Sequence, residues 1–429
     1  MELTVLLPAW NEEQNLRLLL PELERVLDAL DLDYEILVVD GGSADGTRDV
    51  AEALGARVVP QVQPGYGSAI KEGFAAAGGA YVLTMDADYS HEPSFVKHLW
   101  QQREGSDLVI ASRYVPGGRA RMTLFRAALS KVLNWSYRKL LDLPYRDLSS
   151  GFRLYRMAAV QQLEVTGRKF DILPELLVRL YAEGFRIGET PFYYQPRKRG
   201  RSHAKLIRLG WAFLTTLLRM RRLRNSILSA DYDYRAFDSR IPPQRYWQRK
   251  RHQIVTGFVP PGGRVLDVGC GSSRILLDLP NAVGMDVQLR KLRFLRDQAP
   301  RLLVGTLTRL PFPDECFRTV ICSEVIEHVP KEDVRLAEFF RVLQPGGTLV
   351  LGTPDYSSWI WRSIEQAYAK VSPGGYAEEH INPYTREGLH RELEDNGFAV
   401  QELRTICRSE MIFRATKKEG AATATRLRG

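Results

Sequence analysis

Asp86-Ala87-Asp88 closes the apolar run Tyr81–Met85. At a strand end, residues i and i+2 face the same side. Two carboxylates so placed, at the carboxyl edge of a parallel sheet, can hold a divalent metal that bridges a pyrophosphate. Other polar segments would share that edge: Pro8-Ala9-Trp10-Asn11-Glu12, the stretch Val38–Thr47 with Asp40, and Gly65-Tyr66-Gly67-Ser68-Ala69. The glycines of the last would let backbone N–H groups approach phosphate. Three successive strand ends of this kind make one crevice, the usual place for a nucleotide in an open sheet.

A second set begins at Arg264-Val265-Leu266-Asp267-Val268-Gly269-Cys270-Gly271, a strand running into a glycine turn. About 20 residues past Asp267, Gly284-Met285-Asp286 puts an acid where a ribose diol could be held. A dinucleotide dehydrogenase would share that much. It would not share Leu310-Pro311-Phe312-Pro313-Asp314, the run Val320–His328, or Leu343-Gln344-Pro345-Gly346-Gly347. His328 is a candidate acceptor-site residue or a structural histidine. His380 and Tyr384 lie in a segment, 378–384, that could line an acceptor pocket.

These groups need elements to carry them. Leu3–Leu7, Glu35–Val39, Ala56–Pro60, Ala80–Thr84 and Leu108–Ala111 read as strands, with amphipathic stretches Glu13–Leu30 and Thr47–Leu54 between the first of them. Such alternation predicts a mostly parallel sheet. Arg264–Val268, Asn281–Met285, Arg301–Val304, Thr319–Ser323 and Thr348–Gly352 predict another. With 429 residues, the chain has room for two or three domains. The expected divisions are 1–205, a basic amphipathic linker at 206–243, a domain at 244–416 and a tail at 417–429. The fold class is α/β.

Four cysteines, never as C-x-x-C, exclude a disulfide scaffold and give no zinc motif. The first residues read as a strand, not a signal peptide. The net charge is +9, and 16 Lys/Arg against three Asp fall between Arg197 and Arg251. Leu108–Leu141 holds seven Lys/Arg and no acid. Such blocks seek phosphates or form solvated helix faces. No nucleic-acid-binding motif is present, so nucleic acid is not an expected partner. The apolar run Leu206–Leu218 falls short of the ~20 residues of a transmembrane helix. Its flanks, Arg201, Lys205, Arg219, Arg221, Arg222 and Arg224, suit either an interfacial helix or one packed on the first domain. The expected location is cytoplasmic, peripheral on the inner face of a membrane.

The motifs LPAWNEE, VVDGGSADGT, MDADYSHEP, ASRYVPGG, SSGFR and RKRGRSHAK occur in that order. From Leu3 to about Lys205 the chain therefore resembles a family 2 glycosyltransferase of GT-A fold, within it the dolichyl- or polyprenyl-phosphate mannose synthases. The resemblance implies that Pro8, Trp10, Glu12, Asp40, Asp86, Ala87 and Asp88 hold the nucleotide sugar. It implies that Asp86, Asp88 and Ser90 bind Mg²⁺ or Mn²⁺. Asp88, Arg113, Lys169, Arg197 and Arg199 would serve catalysis, the cations meeting the diphosphate or an acceptor phosphate. Asp40-Gly41 replaces a common Asp-Asp pair, Ser90 a frequent Gln, and His203 an expected Lys. The implied reaction is inverting transfer of a hexose, mannose favoured, from a nucleotide sugar such as GDP-mannose to a polyprenyl phosphate. An ionised phosphate needs no strong base. The alternative acceptor, a saccharide hydroxyl, would need one.

From about Gln244 to Arg414 the chain resembles a class I methyltransferase of Rossmann-like fold. That implies S-adenosylmethionine as cofactor, with Asp267, Gly269 and Gly271 around its methionine part, Asp286 at the ribose and Thr306-Leu307 at the adenine. A Cβ at either glycine is expected to block the cofactor. Arg318 replaces a frequent Asp. The whole reads as a bifunctional transferase acting at an anionic membrane surface. In the alternative, the second half is a binding module.

Overall fold

The computed structural model describes residues 1–196, 206–371 and 380–419. The chain forms two compact units, Met1–Leu223 and Arg224–Gly429.

The first unit carries β1 (Leu3–Ala9), β2 (Tyr34–Asp40), β3 (Arg57–Pro60), β4 (Tyr81–Thr84), β5 (Leu108–Ser112), β6 (Arg119–Ala120), β7 (Arg153–Arg156), β8 (Ile187–Pro191) and β9 (Tyr193–Tyr194). Seven of them form one sheet in the order β3-β2-β1-β4-β7-β5-β8, and β6 pairs with β9. β1 runs parallel to β2 and β4, and β2 parallel to β3. Both faces are covered, which is why β1 is apolar almost throughout. Val5 and Leu7 pack against Leu16, Leu19, Leu20, Leu23 and Leu27 of the helix Glu13–Asp28. That i, i+3, i+4, i+7 spacing is one helical face. Leu6, pointing the other way, joins Ile70, Leu173, Leu176 and Leu177.

The apolar pattern does not show β6, β8, β9 or, most important for the site, β7. It lies antiparallel between β4 and β5, with Leu154 opposite both Leu83 and Val109. Its Arg153 is fully buried, with Nη1 donating to Leu173 O and Nη2 to Leu148 O, both at 2.7 Å. This inserted strand brings the segment Asp147–Gly151 beside the end of β4.

The helix Leu206–Arg224 buries Phe213, Leu217 and Met220 in the first unit's core. Thr216 Oγ1 donates to Asp171 at 2.9 Å, and Arg219 pairs with Glu175 at 3.0 Å. Trp211, Leu214 and Leu218 stay exposed. The stretch expected as a separate linker is thus divided, because this helix has a core to join. Among the described residues, no helix is long and apolar enough to cross a membrane.

The second unit carries β10 (Val265–Val268), β11 (Ala282–Asp286), β12 (Leu302–Val304), β13 (Phe317–Ser323), β14 (Leu343–Pro354), β15 (Phe398–Ile406) and β16 (Glu410–Lys417). Their order is β12-β11-β10-β13-β14-β16-β15. The first five are parallel, and β16 runs antiparallel to β14 and β15. The carboxyl ends of β10, β11 and β13 come together, with Val268 beside both Met285 and Cys322.

Candidate active sites

In the first unit, parallel pairing sets Ala9 beside Asp40 and aligns the ends of β1, β2 and β4. Pro8 is half-buried at this edge and Trp10 is exposed. Glu12 takes a hydrogen bond from Asn15 Nδ2, and its N–H donates to Thr47 Oγ1 at 2.8 Å. Asp40 is buried and accepts from Ser43 N at 3.2 Å and Arg48 Nη2 at 2.9 Å. Burial pushes its carboxyl up, but the bonds from Ser43 and Arg48 outweigh that and hold it below the usual range.

Asp86 and Asp88 are not held by strand alternation. β4 ends at Thr84, and Ala87-Asp88 form a turn followed by Tyr89 at φ 64°. Ala87 points into the core. Burial, and after it both carboxylates, push the Tyr66 and Tyr194 hydroxyls up, so both carboxylates lie near these two rings. Asp88 is buried and its Oδ1 accepts from Ser90 N at 3.0 Å.

His91 organises this turn, and the motif reading gave it no role. The Asp86 N–H donates to His91 Nδ1 at 2.9 Å. The ring stacks on Phe152 at 4.8 Å. Burial pushes its imidazole down to about 4, against an opposing pull from Asp88. It is therefore neutral at pH 7, with its proton on Nε2, which faces Asp86 Oδ2 at 3.8 Å. Gly151 completes the wall: a Cβ there would sit 2.8 Å from Tyr66 Oη and 3.4 Å from Asp86 Oδ1. The Tyr66 hydroxyl and Ser90 Oγ are buried without hydrogen bonds, although Ser90 lies close to the Tyr194 hydroxyl. Oxygen donors alone, two of them charged, in a cradle kept open by a glycine, fit Mg²⁺ or Mn²⁺.

Arg113 is gripped from below. Its Nε and Nη2 donate to the Asp147 carboxylate at 2.8 and 2.7 Å, and Nη2 also reaches Ser149 Oγ at 2.8 Å. Burial works against the guanidinium charge, but Asp147 more than restores it. Lys169 is exposed in the loop before the helix Ile172–Ala182, its N–H donating to Asp171 Oδ1. Arg197 and Arg199 lie outside the described residues, as does His203.

The Gly65/Gly67 expectation is corrected. A Cβ at Gly65 would meet Arg168 O at 2.3 Å, and one at Gly67 would meet Lys169 O at 2.7 Å. The Gly67 N–H donates to Arg168 O. These glycines admit the chain's own backbone, so the start of this helix is already covered.

In the second unit, the β10 turn is held by Gly269 N–H donating to Met285 O at 2.7 Å. Asp286 Oδ2 accepts from Gly271 N at 2.8 Å and Oδ1 from Gln288 N at 2.7 Å. The glycines here also face the protein's own side chains. A Cβ on Gly269 would strike Val325 at 2.3 Å, and one on Gly271 would strike Asp233 Oδ2 at 2.6 Å. Both have positive φ, 69° and 55°. Their necessity comes from the protein's own packing. Asp233 also pairs with Lys291 at 3.0 Å and accepts from Ser272 N; neither Asp233 nor Lys291 carries a motif signal.

Asp267 is buried with Oδ2 unpartnered. Burial, and then the nearby Asp286, push its carboxyl up to about 8. An orphaned acid beside a glycine turn suits a cationic ligand such as S-adenosylmethionine. Thr306 is exposed just past Gly305, whose N–H donates to Asp286 O. Leu307 turns into the core, so only its backbone can serve a ligand. Arg318 sits at the opposite end of β13, its N–H donating to Arg264 O, away from the turn. Tyr384 is buried in the core, and the His328 and His380 rings lie 4.8 Å apart.

Residues 4–164 match the family model "Glycosyl transferase family 2", and residues 266–351 match "Methyltransferase domain". A dolichol-phosphate mannosyltransferase of Pyrococcus furiosus is 33% identical over 216 residues, 48% of this chain and 60% of that protein. The chain thus spans under two thirds of that relative. An uncharacterized glycosyltransferase of Mycobacterium tuberculosis is 36% identical over 200 residues, 46% of this chain and 88% of that protein. A solved structure of glucosyl-3-phosphoglycerate synthase from Mycobacterium tuberculosis, with Mn²⁺ and uridine-diphosphate-glucose, overlaps 51% of this chain and 78% of that one. Its identity is 26% and its TM-score 0.42, too loose an overlap to transfer chemistry.

Proposed function

The chain belongs to glycosyltransferase family 2 and carries a methyltransferase domain after it, and from that premise we propose that its first unit transfers a hexose, mannose by preference, from a nucleotide sugar to a polyprenyl phosphate. One observation carries the reading: the Asp86/Asp88 turn, walled by Tyr66, His91 and Gly151, lies at the aligned strand ends near Arg113, whose charge reaches His91. The named activity of the Pyrococcus relative supports mannose and the lipid phosphate.

Asp86, Asp88 and Ser90 would hold a divalent cation, which stabilises the charge of a departing diphosphate as a Lewis acid. Pro8, Trp10, Glu12 and Asp40 would seat the nucleoside. Arg113, held by Asp147, presents a fixed positive charge to phosphate. Lys169, with Arg197 and Arg199, would meet the acceptor. A phosphate acceptor is already ionised at pH 7, so positioning by cations replaces proton abstraction.

The acceptor's lipid also fits an exposed surface. The helix Leu124–Leu140 leaves Leu124, Phe125, Val132 and Trp135 each more than 60% exposed. Arg126, Lys131, Arg138 and Lys139 lie on the same helix. Apolar side chains beside basic ones suit an anionic membrane interface. We place the enzyme there, peripheral on the cytoplasmic face. A saccharide hydroxyl is the second reading for the acceptor.

In the second unit, the turn Gly269–Gly271, with Asp267, Asp286 and Thr306, would hold S-adenosylmethionine, which supplies a methyl group. Asp267 would face its positive charge. A screen of nucleotide sugars against polyprenyl phosphate, with and without divalent metal, tests the first reading. Calorimetry with S-adenosylmethionine tests the second.

A further inference from the structure

A third cluster gathers in the second unit around His328 and His380, the two histidines named above as acceptor-site candidates. Glu327, His328 and His380 each offer one ligand atom, and the three atoms lie within 4.8 Å of one another. Glu327 and His328 follow β13 in a short turn, Ile326–His328. His380 arrives from a distant segment and is clamped there: Ile381 N and Asn382 N donate to Glu327 O, and Asn382 Nδ2 donates to Val329 O.

Glu327 and His380 each leave one buried polar atom without a hydrogen bond. Glu327 is fully buried. Its Oε2 accepts from Thr353 Oγ1 at 2.9 Å, while Oε1 has no partner beyond a long 3.9 Å approach to His328 Nε2. Arg251, the nearby cation, is tied to Glu324 and Glu410. His380 has a side chain only 4% exposed, and its Nε2 makes no hydrogen bond. The other ring nitrogen shows why. Tyr356 Oη donates to Glu365 Oε1 at 2.6 Å, so Nδ1–H donates to the same carboxylate at 2.9 Å. That fixes the tautomer with the Nε2 lone pair turned inward. A carboxylate behind a histidine is how metal-ligating imidazoles are oriented.

We propose that Glu327, His328 and His380 bind a first-row divalent metal ion, with Glu365 and Tyr356 orienting His380. Two imidazoles and one carboxylate favour a transition metal such as Zn²⁺ or Co²⁺ over Mg²⁺. Three protein ligands leave a position open. The site lies close to the cofactor turn, because Val325, two residues before Glu327, packs against Gly269. An oxygen of the methyl acceptor is the ligand suited to the open position; that use rests on the methyltransferase reading, whereas metal binding does not.

The test is titration of the full chain with Co²⁺ alone, in an Asp88→Ala background that removes metal binding at the first site. Visible absorption bands saturating at one equivalent are expected. His380→Gln should abolish them. Glu365→Gln, which changes no ligand atom, should weaken binding about ten-fold or more. Melting transitions establish that each variant is folded; if His380→Gln is not, Glu365→Gln decides alone. Absence of a one-equivalent band, or a Glu365→Gln titration identical to its parent, overturns the proposal. Neither result bears on sugar transfer or on S-adenosylmethionine binding, which are read by separate assays.

Discussion

Asp147 holds Arg113 at two points, Oδ1 accepting from Nη2 at 2.7 Å and Oδ2 from Nε at 2.8 Å. Asp147 is fully buried, and it also caps its own loop by accepting from Ser150 N at 2.9 Å. One carboxylate thus fixes both the direction of a cation and the path of the segment leading to Gly151. Losing it would leave a buried guanidinium uncompensated, which costs about 3–5 kcal/mol. Asp147→Ala should lower stability by that order in a denaturant melt. Arg113→Lys keeps the charge and loses the fork. It should lower kcat for sugar transfer about ten-fold or more while the melt moves less than in Asp147→Ala. Equal melts for the two variants would contradict this division of labour.

Gly151 keeps the metal cradle open. Gly151→Ala should raise the divalent concentration needed for half-maximal transfer by about ten-fold or more, since its methyl group would crowd Tyr66 Oη and Asp86 Oδ1. The second unit's cofactor binding, followed by calorimetry, should not change. An unaltered metal requirement would show that the wall near Gly151 does not shape the site.

Asp267 makes the second unit sensitive to alkali. In an unfolded chain its carboxyl ionises near pH 3.9. In the fold, burial and Asp286 raise it to about 8. Between those values the folded state holds a proton that the unfolded state has released, so stability falls as pH rises. Asp267→Asn should therefore melt higher than the parent at pH 8 without ligand, by a margin that shrinks toward pH 5. A margin independent of pH would contradict the assignment.

The surface proposed for the membrane separates from the packed helix beside it. Arg224 is locked into a buried pair with Asp231, and the half-exposed Arg219 pairs with the buried Glu175, so reversing either would damage the fold. Arg221 and Arg222 are exposed. Phe125→Ser with Trp135→Ser should reduce binding to anionic liposomes about ten-fold or more, each large apolar side chain contributing roughly 1.5–3 kcal/mol when buried. Arg221→Glu with Arg222→Glu should reduce it less, at about 1 kcal/mol per charge. Unchanged sedimentation of the first pair would remove the membrane proposal.

The central parallel strands were legible because strands buried on both faces are written as apolar runs; β1, β2, β4 and β10 fall within two residues of where the pattern puts them, whereas the half-exposed edge strand β8 carries no such run. β7 was not, because Arg153 and Arg156 interrupt it, and Arg153 is buried against carbonyl oxygens instead of a carboxylate. The motifs pointed to Asp86 and Asp88 but gave the wrong reason for their alignment, a strand end where the fold uses a turn. Contacts that support a site leave no spacing in the sequence. Asp147 beneath Arg113 and Asp233 against Ser272 are side chains meeting distant backbone, visible only once the strands are laid side by side, whereas His91 lies only five residues from Asp86 and shows its role only through the fold of the turn. The glycines were legible as necessary. What they make room for, Arg168, Lys169, Val325 and Asp233, was not.

The most direct test of the first unit's chemistry follows the sugar. Purified protein is given radiolabelled GDP-mannose and polyprenyl phosphate with Mn²⁺, and label is measured in the organic-solvent extract. The expected result is metal-dependent, lipid-soluble label that excess chelator removes and that Asp88→Ala reduces to background. Lipid-soluble label undiminished in Asp88→Ala, or label that enters only a water-soluble glycan, would contradict it.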